Sequence, residues 1–219
     1  MSSRTSPGLF VVALVIFGLG CVTTSAANLI PNGDFSAGNT GFTSDYVNGT
    51  SGQGVYELTT DPHIHHSTAI SFHDHTTGSG LFYIADGATT ANKVAWRTTV
   101  SVDPNTPYAF SGWKSSWGND GTGHDPSPAN LQASINGTPI GSTVAPSTDG
   151  VWAPFTMAVW NSGSATSATL TIVDQNIASF GNDFALDDLS FASSVPEPVS
   201  LSLVTIGALV TVLTRCRHA

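Results

Sequence analysis

Between residues 28 and 193 apolar side chains recur at every second position in short runs, and no stretch carries a convincing helical period. Val94, Trp96, Val100 and Val102, with Thr98 in step, form one such set; Leu131, Ala133 and Ile135 form another. Alternation of this kind turns one face of a strand to a core and the other to solvent. Strands are expected over 54–58, 69–72, 81–85, 93–102, 108–113, 131–136, 152–159, 168–173 and 184–191. Pro104-Asn105, Asn136-Gly137 and Asp149-Gly150 punctuate them, and Asn-Gly between apolar runs specifies a type I′ hairpin. Many short strands with regular turns predict an all-β fold, an antiparallel β-sandwich rather than a barrel or propeller. Residues 118–130, rich in Gly, Asp, Pro and Ser, read as a long loop.

The last strand carries its own constraint. Phe184 and Leu186 share one face, while strict alternation puts Leu189 and Phe191 on the other. Burying all four requires one extra residue at Asp187-Asp188, so a β-bulge is expected there.

The two ends have a different character. Arg4, an apolar run over 9–19 and the small residues Ser25-Ala26-Ala27 make 1–27 a secretory signal peptide. A lipoprotein alternative at Cys21 fits poorly, because Gly18 stands where a lipobox has a large aliphatic residue. Residues 194–219 contain Pro196-Glu197-Pro198, an apolar stretch over 199–214, and Arg215 and Arg217 behind it. As a helix that stretch rises roughly 24 Å, slightly short of a ~30 Å hydrocarbon core. On these residues alone it is a transmembrane helix serving as a short tail anchor with a cytoplasmic basic end. The tripartite pattern also resembles the PEP-CTERM sorting signal. That resemblance implies an exosortase-type transpeptidase as partner, with transient insertion in the inner membrane and cleavage near the motif. Delivery to the cell surface or the extracellular polysaccharide matrix follows.

Composition narrows the function. Six basic residues stand against 15 acidic ones, a net charge of −9. Such a chain lacks the basic surface that nucleic-acid binding needs. Lys93, Arg97 and Lys114 are the bases of the 28–193 domain, which holds every acid except Glu197. Cys21 and Cys216 both lie in the ends, so the domain has neither a disulfide framework nor thiol chemistry.

The domain opens Asn28-Leu29-Ile30-Pro31-Asn32-Gly33-Asp34-Phe35 and closes Asp183-Phe184-Ala185-Leu186-Asp187-Asp188-Leu189. Both stretches resemble the ends of galactose-binding-like jelly rolls, the fold of many carbohydrate-binding modules. Asp74-His75-Thr76-Thr77-Gly78 is similar to a segment that often reads His-Ser-Gly there. These stretches, with Asn39 to Phe42 and Ser44 to Tyr46, also resemble a recurrent PEP-CTERM ectodomain. The resemblance implies a structural Ca²⁺ between the terminal strands. Asp187 is its first carboxylate, Asp74 its second, and carbonyls near Asn32 and Thr77 complete the oxygen set. Ser36 departs from the pattern, where such modules often carry Glu.

Histidines 63, 65, 66, 73 and 75 crowd one segment. In strand conformation His63 and His65 would share a face, as would His73 and His75. Paired imidazoles can hold Zn²⁺, which leaves a metal-dependent hydrolase as an alternative. No HExxH or Gly-x-Ser-x-Gly signature accompanies them. Surface or hydrogen-bonding histidines are the simpler reading.

For a glycan ligand, a platform is expected at Trp113, Trp117, Asn119 and Asp120, near a strand end and the long loop. There an indole face would meet sugar C–H groups, and the polar neighbours would bind hydroxyls. Trp96, Trp152 and Trp160 are expected in or beside the core. The expectation is an exported, non-enzymatic surface or matrix protein associating with exopolysaccharide, the alternative being a purely structural one without a ligand.

Overall fold

The computed structural model describes residues 26–118 and 120–194. Strands are β1 (Val47–Asn48), β2 (Val55–Thr59), β3 (Phe82–Asp86), β4 (Val94–Ser101), β5 (Pro107–Ser116) and β6 (Asn130–Ile135). They continue as β7 (Thr138–Val144), β8 (Ala153–Thr156), β9 (Trp160–Asn161), β10 (Ser167–Asp174) and β11 (Phe184–Ser193). One sheet runs β1-β2-β3-β11-β5-β8, with β9 also on β5; the other runs β4-β10-β6-β7. All pairs are antiparallel except β1 with β2. The chain is an all-β sandwich of jelly-roll type. The signal-peptide and sorting-signal segments, including the expected transmembrane helix, lie outside the described residues.

Alternation places the core as anticipated. Trp96, Leu131, Ile135, Leu170 and Ile172 of the smaller sheet meet Tyr83, Phe110, Phe184 and Phe191 of the larger. Trp96 stacks on Phe110 with ring centres 6.1 Å apart. Asn136 and Gly137 both have positive φ, 50° and 80°, and Ile135 pairs with Thr138, which is the type I′ hairpin. Its second strand, β7, was not anticipated. It is a largely exposed edge strand carrying Pro139, so it shows no apolar alternation.

The expected strand over 69–72 is a correction. These residues belong to a flap over 60–80 that opens with a short 3-10 turn at Pro62–Ile64. The flap lays Ala69 and Phe72 against Phe82, Ile84, Trp117 and Ala185, on the face of the larger sheet away from the main core. A second hydrophobic layer results, and β3 is buried on both faces. The apolar run 69–72 is genuine; it satisfies its burial as a loop on a sheet rather than as a strand within one.

The bulge forms where burial demanded it. Asp187 pairs with Trp113 and Ser190 with Ser111, so three steps on β11 oppose two on β5. Asp188 takes the extra position at φ 49°. Phe184, Leu186, Leu189 and Phe191 are all fully buried in the main core. The N-terminal segment docks here: Leu189 N–H donates to the Gly33 carbonyl at 2.8 Å, and the Asn28 carboxamide donates to Leu189 O at 2.9 Å.

Candidate functional site

The C-terminal ends of β3 and β5 meet the start of β11, because Phe184 pairs with both Ala85 and Ser116. Gly118 and the loops at 120–126 and 176–183 close around that end and enclose a cavity of about 190 Å³. Asp86, Asp125, Asn182 and Asp183 line it, with Trp117 and Phe180 as apolar walls and Gln53, Asp120 and His124 at its margin. Phe180 is 59% exposed, an unusual position for a large aromatic. Gly181 has φ +79°, and a Cβ there would lie 2.7 Å from Asp125 Oδ1, so glycine permits the loop's close approach.

The electrostatics of this end are strongly acidic. Burial, then the neighbouring Asp86 charge, push the Asp183 carboxyl well above the usual range, while the Gly87 amide opposes the shift. Burial raises Asp86 as well, and the two carboxyls lie close enough to act on one another. Asp149, beneath the cavity, is pushed up to about 6 by burial and by the charges of Asp125 and Asp120. Asp174 also rises to about 6 through burial, although the Asn176 and Asn130 amides oppose it.

The sequence-derived candidates fall in two places. Trp117 and Asp120 line this cavity. Trp117 is 3% exposed, and its indole N–H donates to Ala85 O at 3.0 Å, so it serves as a buried wall rather than an open stacking face. Asp120 is exposed and accepts from the Thr122 amide and hydroxyl. Asn119 lies outside the described residues. Trp113 sits elsewhere, on the flap side of the larger sheet, where His75 stacks on it at 3.6 Å. The sorting-motif residues Pro196, Glu197, Pro198, Arg215 and Arg217 lie outside the described residues.

The four expected calcium ligands lie around the bulge, each engaged in local hydrogen bonds. Asp187 is fully buried, and its carboxylate accepts from the His75 and Thr76 amides and from Asp188 N–H. Burial nonetheless raises it to about 6. Asp74 accepts from the Thr77 and Gly80 amides, both at 2.7 Å. Burial alone would raise Asp74, but those donors outweigh it and hold the carboxyl below its usual range. Asn32 organises its own loop, donating to Gly38 O and Thr40 O at 2.8 Å. The Thr77 hydroxyl contacts Asp74. Backbone amides engage both carboxylates, so a Ca²⁺ at the bulge would have to displace those donors.

The histidines hold the flap down. His66 and His65 reach Glu57 of β2 at 3.4 and 3.9 Å, and His75 Nδ1 meets Asp188 at 2.6 Å. His63 and His73 bind the Ala69 and Thr60 carbonyls through Nδ1. Among the described residues no three His, Cys, Asp or Glu side chains are arranged to hold a metal ion, so the histidine segment does not supply a hydrolytic zinc centre.

Sequence reasoning did not single out Asp86, Asp125, Asp149, Phe180 or Asp183 as a site. They come from separate segments, and the one signal pointing to them was the aspartate- and glycine-rich loop after Trp117.

No protein-family model matches the chain, and no curated protein matches it. Solved structures do. A cyclase from Fischerella sp. TAU superposes with TM-score 0.53 at 10% identity, over 78% of this chain and all of the cyclase chain. That likeness is one of fold alone. The tandem CBM22 domains of Paenibacillus barcinonensis Xyn10C give TM-score 0.48 at 14% identity, over 83% of this chain and 49% of theirs. The C-terminal domain of EclA, a sugar-binding protein, gives 0.36 at 18% identity, over 43% of this chain and 64% of its own. This chain therefore spans less than two thirds of the latter two.

Proposed function

We propose that this is an exported, exosortase-sorted protein of the cell surface or extracellular matrix, whose sandwich associates with exopolysaccharide without cleaving it. The observation that carries the reading is the composition of the end cavity. Carboxyl and carboxamide groups on Asp86, Asp183, Asn182 and Gln53 suit sugar hydroxyls, and the exposed Phe180 ring beside them suits a sugar's C–H face. The glycan platform thus moves from Trp113 to Phe180. Export and sorting rest on the sequence motifs at the two ends.

The acidic lining disfavours anionic polymers at neutral pH, so neutral or amine-bearing glycans are the expected ligands.

A glycan array and an exopolysaccharide pull-down on the full-length protein in detergent test this. Phe180→Ala and Asp183→Asn are expected to weaken retention about tenfold, and Trp113→Ala to leave it unchanged. Failure to bind any neutral or amine-bearing glycan would leave a purely structural matrix protein.

A further inference from the structure

Beneath the cavity four buried oxygen atoms have no hydrogen-bond partner: Ser116 Oγ, Asp125 Oδ2 and both carboxylate oxygens of Asp149. Their residues are 0%, 3% and 7% exposed. Three separate segments bring them together. Ser116 ends β5 and bridges to Asp149, and Gly150 N–H donates to Ser116 O at 3.0 Å. Asp125 N–H donates to Ser147 O at 2.9 Å, and Asp149 N–H to Gly123 O at 3.2 Å. The Asp125 charge acts on Asp149, and the Ser116 hydroxyl lies against the Asp125 carboxyl and lowers it without reaching hydrogen-bond geometry.

Two desolvated carboxylates with open lone pairs are among the costliest arrangements a protein interior can hold. The bulge carboxylates avoid that cost through backbone amides, as Asp187 and Asp74 do. Here, among the described residues, one backbone amide serves the pair: Ser127 N–H donates to Asp125 Oδ1 at 2.8 Å. Among the described residues no Lys or Arg pairs with Asp125 or Asp149. His124 is exposed nearby, and Asp120 adds further negative charge. A water molecule could donate to these oxygens but could not neutralise two charges.

We infer that Ser116, Asp125 and Asp149 form a Ca²⁺ site beneath the cavity, separate from the bulge. The donor set is all oxygen, which selects a hard cation. Ca²⁺ readily completes two carboxylates and a hydroxyl with backbone carbonyls and water. The ion ties the 120–126 loop to the 147–150 turn and holds one wall of the cavity. The inference stands whether or not that cavity binds polysaccharide.

The test uses full-length protein in detergent, stripped with EDTA and then titrated with CaCl₂, or with MgCl₂ in parallel. Calorimetry and thermal melting follow binding, and Tb³⁺ luminescence sensitised by Trp117 reports position, since that indole adjoins Ser116. Saturating Ca²⁺ is expected to raise the wild-type melting temperature by about 5 °C or more, with Mg²⁺ at least tenfold weaker. Asp149→Asn and Asp125→Asn should each weaken Ca²⁺ at least tenfold and abolish the Tb³⁺ signal, while Asp187→Asn keeps both. In EDTA the order of stability should reverse, with Asp149→Asn melting above wild type, because the variant removes a buried charge that then has no partner. That reversal also shows the variant to be folded. The inference is overturned if Ca²⁺ leaves the wild-type melt unmoved, if Asp149→Asn responds to Ca²⁺ like wild type, or if Asp187→Asn alone loses the response.

Discussion

Gly33 accepts the Leu189 backbone N–H at 2.8 Å, and a Cβ on Gly33 would come within 1.9 Å of the Leu189 carbonyl oxygen. The contact joins the opening segment to the bulge of β11, so no side chain fits at 33 without moving backbone. Gly33→Ala is expected to lower unfolding free energy by more than about 2 kcal/mol in urea titrations. Ser36→Ala, exposed in the same segment, should change it by less than about 0.5 kcal/mol. Equal effects of the two would contradict close docking at Gly33.

His75 links the flap to the sheet twice, by stacking on Trp113 and by pairing with Asp188. His75→Ala is expected to cost about 1–2 kcal/mol and to raise the rate of limited proteolysis within 60–80. His124→Ala, on an exposed loop, should leave that cleavage rate unchanged. Cleavage of both variants at the wild-type rate would mean that the flap is held without His75.

Trp117 and Phe180 line one cavity but should separate cleanly. Trp117→Ala removes a buried side chain and its hydrogen bond to Ala85 O, at an expected cost of about 3–5 kcal/mol. Phe180→Ala exposes little that was buried and should leave the melting temperature within about 2 °C. Thermal melts of the two variants check this, and a large destabilisation by Phe180→Ala would make that ring structural.

Stability should rise on mild acidification. Burial lifts Asp149, Asp174 and Asp187 to about 6, against about 3.9 for an unfolded Asp. Between those values the folded state binds more protons, so stability falls as pH climbs from about 4 to about 6 and then levels. Asp183 extends the fall to higher pH. Asp61, Asp74 and Asp120 are held below their usual range, and their stabilisation is lost as pH drops further. Melting curves in EDTA should therefore peak at roughly pH 4–5. A melting temperature that climbs steadily from pH 5 to pH 8 would contradict the burial of these carboxyls.

Local pattern carried the sheet architecture a long way. The β4 and β6 alternations, the Asn136-Gly137 turn and the bulge at Asp187-Asp188 all follow from side-chain period and turn chemistry, which act between near neighbours. The strand β7 escaped because an exposed edge carries no apolar period. The run 69–72 misled because alternation reports burial on one side but not what provides it. Trp117 was visible as an aromatic at a strand end, yet only the flap over it decides that the indole is buried.

The sequence alone determined that residues 28–193 build an all-β sandwich, because a period of two leaves each strand one face to bury. Only the tertiary structure decided where the chemistry concentrates. Asp86, Asp125, Asp149 and Asp183 are far apart along the chain, and Gly118, Gly181 and their neighbours give no sign of which carboxylates will meet. They converge because β3, β5 and β11 are adjacent and end together, which is a property of strand order. Whether a carboxylate is then capped, as Asp74 and Asp187 are, or left open, as Asp149 is, depends on which backbone amides the surrounding loops turn toward it.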